Sequence, residues 1–302
     1  MAFSPDGTRV ATGSYDTARV FAAATGAELA RLDHGDGVSA VAFSPDGTRV
    51  ATGSYDHTAR VFAADTGAEL ARLDHDGPVF AVAFSPDGTR VATGSRDRSA
   101  RVFAADTGAE LARLDHAGAV RAVAFSPAGD RVATGNADGS ARVFAAATGA
   151  ELARLDHDGA VWVVAFSPDG DRVATGSADR SARVFAAATG AELVRLDHDD
   201  GVYAVAFSPD GHRVATASAD RSARVFDVEP AVLLRRVFSE FMTRPLRKEE
   251  LRLFSLPWNC RHVEHWLRGR AKAGDSNAAT ELVHLLLSQR TQESLSEAEA
   301  GV

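Results

Sequence analysis

A segment of roughly 41 residues recurs six times along the chain, and such self-similarity is typical of repeat architectures. The text LDHDGPVFAVAFSPDG at 73–88 returns as LDHAGAVRAVAFSPAG at 114–129 and as LDHDGAVWVVAFSPDG at 155–170. The phenylalanine of the AFSP motif gives the register of the copies: Phe3, Phe43, Phe84, Phe125, Phe166 and Phe207. A chain built in this way folds as a series of similar units, each packed on the next.

Each copy contains four short runs that are typical of strands. In the third copy they are VFAVAF (79–84), RVATGS (90–95), ARVFA (100–104) and AELARL (109–114). Turn sequences such as SPDG separate the runs. Four strands per unit at this period predict an all-β fold. We expect a six-bladed β-propeller whose blades are four-stranded antiparallel sheets.

The motifs LDH, VAFSPDG, VATGS-x-D and ARVFA, in this order, resemble the repeats of the WD-repeat β-propeller family. The resemblance covers residues 1–237 in six repeats, and the first repeat is truncated at its N-terminus. Asp stands in place of Gly in the family's Gly-His pair, and Phe stands in place of Trp in its Trp-Asp pair, mostly followed by Ala. The substituting phenylalanines are Phe62, Phe103, Phe144, Phe185 and Phe226.

The resemblance implies a buried hydrogen-bond network in each blade that joins the His, the turn Asp, a strand Thr and the Trp indole. The matching residues are His34, Thr52 and Asp56; His75, Thr93 and Asp97; His116, Thr134 and Asp138; His157, Thr175 and Asp179; and His198, Thr216 and Asp220. Because Phe has no donor, we expect each network to end one bond short. His, Asp and a hydroxyl also make catalytic triads, but a trio repeated in five blades indicates scaffolding, so we predict no catalytic residue.

The few columns that differ among the copies cluster at the end of the blades that carries the LDH and S-x-D turns, here called the top face. The varying residues predicted to bind a partner are Phe80, Arg121, Trp162 and Tyr203 after the LDH turn, and Tyr15, Tyr55, Arg96 and Arg98 around the turn Asp. Aromatic residues and Arg dominate interface hot spots. The family resemblance also implies binding by this face. Neutral drift at exposed turns is the alternative.

These features predict a non-catalytic scaffold that binds a protein or peptide through its top face. A sensor or scaffold part of a larger kinase- or NTPase-linked bacterial protein is the alternative within the binding class, and a hydrolase is the alternative class. The net charge of −8 argues against binding to nucleic-acid phosphates. No apolar run has the length of a membrane span. We expect neither a cofactor nor a metal.

Residues 238–302 lack the repeat, and we expect a short helical tail with a disordered acidic end. The single cysteine, Cys260, suits a cytoplasmic protein. Cys260 forms a ligand-like cluster with His262, Glu264 and His265, but the spacing matches no standard zinc site.

The two ends of the repeat region raise separate expectations. Met1 stands where the other copies have valine, and we expect the reading frame to extend upstream of it. The run VLLRRV (232–237) is expected to supply the fourth strand of the last blade. Near-identical blades with unpaired edges also predict domain-swapped self-association.

Overall fold

The computed structural model describes residues 1–228, and these form six antiparallel sheets. Sheets 1 to 3 contain β1 (Ala2–Phe3), β2 (Arg9–Gly13), β3 (Thr17–Ala22) and β4 (Glu28–Asp33); β5 (Val38–Phe43), β6 (Arg49–Ser54), β7 (Thr58–Ala63) and β8 (Glu69–Asp74); and β9 (Val79–Phe84), β10 (Arg90–Ser95), β11 (Ser99–Ala104) and β12 (Glu110–Asp115). Sheets 4 to 6 contain β13 (Val120–Phe125), β14 (Arg131–Asn136), β15 (Ser140–Ala145) and β16 (Glu151–Asp156); β17 (Val161–Phe166), β18 (Arg172–Ser177), β19 (Ser181–Ala186) and β20 (Glu192–Asp197); and β21 (Val202–Phe207), β22 (Arg213–Ser218) and β23 (Ala223–Asp227).

Strand order within every sheet follows sequence order, so each sheet is one stretch of chain folded back and forth. The first strands of consecutive sheets lie beside each other, as β9 lies beside β5 and β13, and the sheets therefore converge on that side. This arrangement confirms the predicted all-β, six-bladed architecture. Sheet 6 has three strands within residues 1–228, and the fourth strand predicted at 232–237 lies outside the described residues.

Consecutive sheets pack face to face through small and β-branched side chains. Between sheets 2 and 3, Ala51 and Val61 contribute one side of the interface, and Val79, Val91 and Phe103 the other. The same positions recur between the other sheets that form hydrophobic clusters. Full burial of a Val or Phe side chain stabilises a fold by about 1.5–3 kcal/mol. Since these residues lie between sheets rather than within one, each blade depends on its neighbour for its core.

An arginine from each of sheets 1 to 5 also reaches the next sheet at the end opposite the top face. Arg49 lies 5.6 Å from the centroid of the Phe84 ring and donates a 2.7 Å hydrogen bond to the Gly88 carbonyl. The guanidinium-over-ring contact is a cation–π interaction. It occurs five times, in the pairs Arg9–Phe43, Arg49–Phe84, Arg90–Phe125, Arg131–Phe166 and Arg172–Phe207.

A glycine in the second strand allows this close approach of sheets. A Cβ on Gly176 would lie 2.7 Å from Cγ1 of Val163 and 2.9 Å from the carbonyl oxygen of Val202, in the next sheet. Both distances are shorter than van der Waals contact, so any larger residue forces the sheets apart. Sheets 1 to 5 carry glycine at this position, whereas sheet 6 carries Ala217.

Residues Met1–Phe226 form one compact unit. The domain boundary predicted after residue 237 lies outside the described residues. The predicted helical tail and the cluster around Cys260 lie outside the described residues. Within residues 1–228 no helix is long and apolar enough to cross a membrane.

Gly176→Ala should destabilise the protein by about 1–3 kcal/mol, because the added methyl overpacks the interface between sheets 5 and 6. Denaturant unfolding measures the change. Ala217→Gly is the matched control, since no described sheet covers that face of sheet 6, and it should change stability by no more than about 1 kcal/mol. Wild-type stability in Gly176→Ala would contradict the close-approach argument.

Candidate partner-binding face and the network beneath it

Four histidines join one sheet to the next below the top face. His75 follows β8 of sheet 2, and its ring contacts Asp97 and Thr93 of sheet 3. Its Nδ1 lies 2.9 Å from Oδ2 of Asp97 and its Nε2 lies 2.7 Å from the Thr93 hydroxyl. With the neutral imidazole, Nδ1–H donates to the carboxylate and Nε2 accepts the hydroxyl proton.

The same contacts recur at three further junctions. The His–Asp and His–Thr distances there are 3.0 and 2.6 Å for His34, 2.9 and 2.6 Å for His157, and 3.2 and 2.9 Å for His198. The structure thus brings together the predicted residues Asp56 with Thr52, Asp179 with Thr175, and Asp220 with Thr216. These side chains link neighbouring sheets, which share no backbone ladder.

Phe at the family's Trp position leaves the network without an indole donor. Each phenylalanine instead packs edge-on against the network histidine, with centroids 5.9 Å apart for His75 and Phe103. Phe103 is almost fully buried. The ring therefore contributes apolar packing where the family's indole would donate a hydrogen bond.

An arginine that sequence reasoning missed completes each network. Arg101 lies on β11, where its Nη2 is 3.2 Å from Oδ2 of Asp97 and its Nε donates to the Ser99 hydroxyl. Its Nη1 reaches Glu110 of the outermost strand at 3.2 Å. The available signal was the constant arginine in every ARVF run, a charged residue within an otherwise apolar strand.

The junction at His116 departs from the other four, and the prediction of a network there is wrong. Both ring nitrogens of His116 are buried and have no hydrogen-bond partner within the described residues. Thr134 contacts only the Arg142 carbonyl, at 3.5 Å, and Asp138 bonds Ser140. Leaving buried polar atoms unpaired costs about 1–3 kcal/mol each. This junction is therefore the weakest of the five.

Two residues beside His116, Ala117 and Asn136, differ from those of the other repeats. Asn136 stands where other sheets have Ser, and it takes the Asp138 amide at 2.7 Å while donating to the Gly118 carbonyl. A Cβ on Gly118 would lie only 2.8 Å from Oδ1 of Asn136, so this turn requires glycine. The Ala117 amide also makes no bond to Asp138, whereas the equivalent Asp76 amide donates to Asp97. The turn that carries His116 has therefore lost both of its bonds to the carboxylate.

Burial and hydrogen bonding set the protonation of the network. Burial lowers the pKa of His34 and His157, although the neighbouring carboxylates oppose this effect. Burial and then the Arg142 charge lower the pKa of His116 to about 4. Burial raises the pKa of Asp97, but bonds from His75 and Ser99 outweigh it and hold the carboxyl well below its usual range. His34, His116 and His157 are thus neutral near neutral pH, and Asp97 is charged.

Asp179→Ala should destabilise the protein by about 1–3 kcal/mol, because it leaves His157, Arg183 and the Asp158 amide without their acceptor. The matched control is Asp138→Ala at the broken junction. It removes no bond to a histidine and should cost clearly less. Equal losses of unfolding free energy in the two variants would show that the histidine bond contributes nothing.

Stability should be flat above about pH 7 and should fall as the pH drops from 6.5 towards 4. Stability falls in this direction because the pKa values of these histidines are lower in the folded state. Below pH 6.5 the histidines of the unfolded chain bind protons that the buried histidines of the folded chain do not bind. His116→Gln should flatten this decline while keeping the melting temperature near wild type at neutral pH, since His116 has no bond to lose. His157→Gln should lower the melting temperature already at neutral pH. A decline confined to pH values below 4 would contradict the assignment to histidine.

The varying position after the LDH turn is the extra residue of a β-bulge. In sheet 3, Val79 pairs with Ser95 and Ala81 pairs with Gly94, which leaves Phe80 outside the ladder. The same shift leaves Ser39, Arg121, Trp162 and Tyr203 outside theirs. A bulge redirects a side chain and relieves it of pairing constraints. The five residues therefore occupy one equivalent place near the top end of successive sheets.

Several of these side chains contact each other across neighbouring sheets. The rings of Trp162 and Tyr203 stack in parallel with centroids 4.4 Å apart and planes 2° from parallel. Phe80 receives the Tyr55 ring edge-on at 5.8 Å, and the Arg121 guanidinium lies 4.7 Å from its centroid. The structure thus makes two clusters, Tyr55–Phe80–Arg121 across sheets 2 to 4 and Trp162–Tyr203 across sheets 5 and 6.

The remaining candidates of the top face contact neither cluster. Tyr15 is 90% exposed. Arg96 and Arg98 are exposed on the turn between β10 and β11. Arg98 has φ +69°, a left-handed conformation that directs its carbonyl to the His116 amide. The surface therefore carries two aromatic clusters, one of which contains the Arg121 guanidinium, and exposed Tyr15, Arg96 and Arg98 outside them.

A pocket at the opposite end is built from the AFSP motifs. Phe84, Phe125, Phe166 and Phe207 line it together with the prolines that follow them. It contains neither histidine nor carboxylate, so the His–Asp–Thr networks do not open into it.

Comparison with known proteins agrees with this geometry. The family model of the WD domain, G-beta repeat, matches residues 1–21, 26–62, 67–103, 108–144, 149–185 and 191–227. The match at 67–103 contains β8 of sheet 2 and β9 to β11 of sheet 3, so one sequence repeat straddles two sheets. No curated protein matches the chain.

Among solved structures, the crystal structure of the computationally designed Ika8 protein is similar, with a TM-score of 0.68. Its sequence is 30% identical, over 75% of this chain and 70% of that one. With family repeats tiling residues 1–227 and six successive sheets of the corresponding strands, the chain belongs to the WD-repeat β-propeller family.

Proposed function

We propose that this protein is a non-catalytic interaction module that binds a protein or peptide through its top face. WD-repeat propellers generally mediate protein–protein interactions, and they are typically scaffolds rather than enzymes. The observation that carries the proposal is the Trp162–Tyr203 stack, formed by two bulge residues of neighbouring sheets. Large aromatic side chains in a half-exposed position supply much contact area for little lost side-chain freedom.

The chemistry of this face favours a partner with an apolar anchor flanked by hydrogen-bonding or acidic groups. The Trp162–Tyr203 pair offers the apolar contact, and Tyr203 is 59% exposed. Arg96 and Arg98 supply donors on the turn between β10 and β11, and Arg121 supplies donors from β13. Arg presents a planar array of donors that matches carboxylates. The acidic net charge of −8 disfavours a nucleic acid as the partner.

The cellular setting is also a proposal. We place the protein in the cytoplasm because its single cysteine excludes an internal disulfide. The module then serves alone or as the sensor or scaffold part of a larger kinase- or NTPase-linked protein. Self-association by exchange of near-identical blades is a further proposal, supported by the sequence identity of the repeats.

Trp162→Ala combined with Tyr203→Ala should abolish capture of the partner, because truncation of a hot-spot residue costs about 2 kcal/mol or more. The partner is isolated from native lysate with the wild-type protein and then titrated against each variant by calorimetry. The melting temperature should stay near wild type, since Tyr203 is more than half exposed. Asp106→Ala with Thr107→Ala, on a turn at the opposite end, is the control and should bind normally. Loss of binding in the control with retention in the aromatic double variant would refute the proposal.

A further inference from the structure

One of the five turns that follow an LDH motif carries no carboxylate. At three junctions an aspartate follows the network histidine, and its Oδ2 lies near Nη2 of the network arginine: 3.4 Å for Asp76 and Arg101, 3.7 Å for Asp158 and Arg183, and 3.8 Å for Asp199 and Arg224. The turn after His34 contains Asp36 instead. After His116 the turn consists of Ala117, Gly118 and Ala119. The junction of sheets 3 and 4 therefore lacks an acidic group that the other junctions have.

The network arginine of this junction, Arg142, keeps one nitrogen without a hydrogen bond. Its Nε and Nη1 donate to neighbours in sheet 4. Its Nη2 lies 3.5 Å from Oδ2 of Asp138 and makes no hydrogen bond within residues 1–228, whereas the other four arginines approach their aspartates to between 2.9 and 3.2 Å. Nη2 of Arg101 also contacts Asp76. By equivalence, Nη2 of Arg142 faces the place beside Ala117 that such a carboxylate would occupy.

Two more guanidinium groups adjoin the same turn. The Arg98 carbonyl accepts a 2.9 Å hydrogen bond from the His116 amide, which places Arg98 beside the turn, and its side chain is exposed. Arg121 follows the turn on β13, and its guanidinium lies 4.7 Å from the centroid of the Phe80 ring. Stacking on a ring leaves the N–H groups of a guanidinium free to donate. Three arginines thus lie around a turn that contains no acid.

The turn after His198 shows the usual balance of charge. Arg180 takes there the place of Arg98, because its carbonyl accepts the His198 amide at 2.8 Å. That turn contains Asp199 and Asp200, so carboxylates accompany the cation. Among the five turns, the one after His116 alone has adjoining arginines and no aspartate. In a protein of net charge −8, such a local excess of positive charge attracts and orients an anionic group.

We propose that the turn 117–119 binds an anionic group of the top-face partner, a carboxylate or a phosphate, held by Arg98, Arg121 and Arg142. The group takes the place that an aspartate of the chain itself takes at three other junctions. The partner rests on the function proposed for the top face, whereas the anion site rests on residues outside the Trp162–Tyr203 cluster. Arg121 and Trp162 hold the same bulge position in neighbouring sheets, so the anionic group and the apolar anchor of the partner fall on successive sheets.

Titration of the full chain with small anions tests the site without the partner. Inorganic phosphate and acetate are added separately at constant ionic strength, and NMR follows the amides of the turn and the arginine side chains. We expect saturable shifts at Ala117, Arg98 and Arg121 with at least one of the two anions. Arg98→Gln combined with Arg121→Gln should weaken binding about 10-fold or more, because charge-assisted hydrogen bonds are lost. Both side chains are exposed, so the variant should fold as the wild type does.

Ala117→Asp supplies the missing carboxylate from the chain itself. It should abolish binding of both anions, because the new side chain occupies the place beside Arg142. Arg180→Gln is the matched control, since it removes an exposed arginine beside a turn that has its own aspartates, and it should leave anion binding unchanged. The absence of saturable shifts with both anions overturns the proposal. Shifts that persist in Ala117→Asp also overturn it.

The partner isolated with the wild-type protein provides the second arm. Its affinity, measured by calorimetry, should fall about 10-fold or more in Ala117→Asp and in the Arg98→Gln, Arg121→Gln variant, but not in Arg180→Gln. Phosphatase treatment of the partner separates the two sources of the anion: an equal loss of affinity identifies a phosphate, and unchanged affinity identifies a carboxylate. Full affinity in both site variants overturns the proposal, even where small anions bind.

This design keeps the two proposals apart. A partner that still binds the Trp162→Ala, Tyr203→Ala variant contradicts the binding mode proposed for the top face. The anion titration still decides whether the turn 117–119 is an anion site, because it needs no partner.

Discussion

The histidine that reaches from one sheet into the next is the contact on which this architecture depends. Backbone ladders hold each sheet together but end at its edges, so most contacts with the neighbouring sheet involve side chains. His75 makes the polar part of that crossing to Asp97 and Thr93, while Val61 and Phe103 make the apolar part. A blade is thus completed by its neighbours, and its stability is a sum over nearest-neighbour interfaces. The junction at His116 lacks the polar part of the crossing and keeps only the apolar part.

Much of the fold follows from the sequence because every repeat states the same pattern. The predicted runs 79–84 and 90–95 coincide with β9 and β10, and 100–104 begins one residue after β11 does. Alternation of apolar and polar residues and Pro-Asp-Gly turns are local signals, so they can be recognised in the sequence without knowing which strand pairs with which. The histidine positions were also predictable, because the resemblance to the WD-repeat family implies them. The defect at His116 was not predictable, because His116, Thr134 and Asp138 are all present in that repeat and only the folded structure shows that the ring nitrogens meet no partner within the described residues.

Two further features were hidden for related reasons. The arginine of the ARVF run appears as a charge in a strand, and only the folded sheet shows that it reaches the network carboxylate and a glutamate of the outer strand. The bulge at Phe80 depends on how β9 pairs with β10, so no local sequence pattern predicts it. Variation at this position is nonetheless explained by the bulge. A residue outside the ladder is free to change while the residues on both sides of it remain fixed in the core.

The offset between sequence repeat and sheet has a consequence for how such a chain changes in length. A repeat such as 67–103 carries the last strand of one blade and the first three of the next. When one such unit is duplicated or deleted, the new sequence boundary therefore falls between the third and fourth strands of a sheet. Each junction between blades keeps its histidine, aspartate and threonine, because all three belong to the same repeat. Unequal recombination can therefore add or remove complete blades. A change in blade number therefore requires a different angle between successive blades, whereas the side-chain contacts at each junction stay the same.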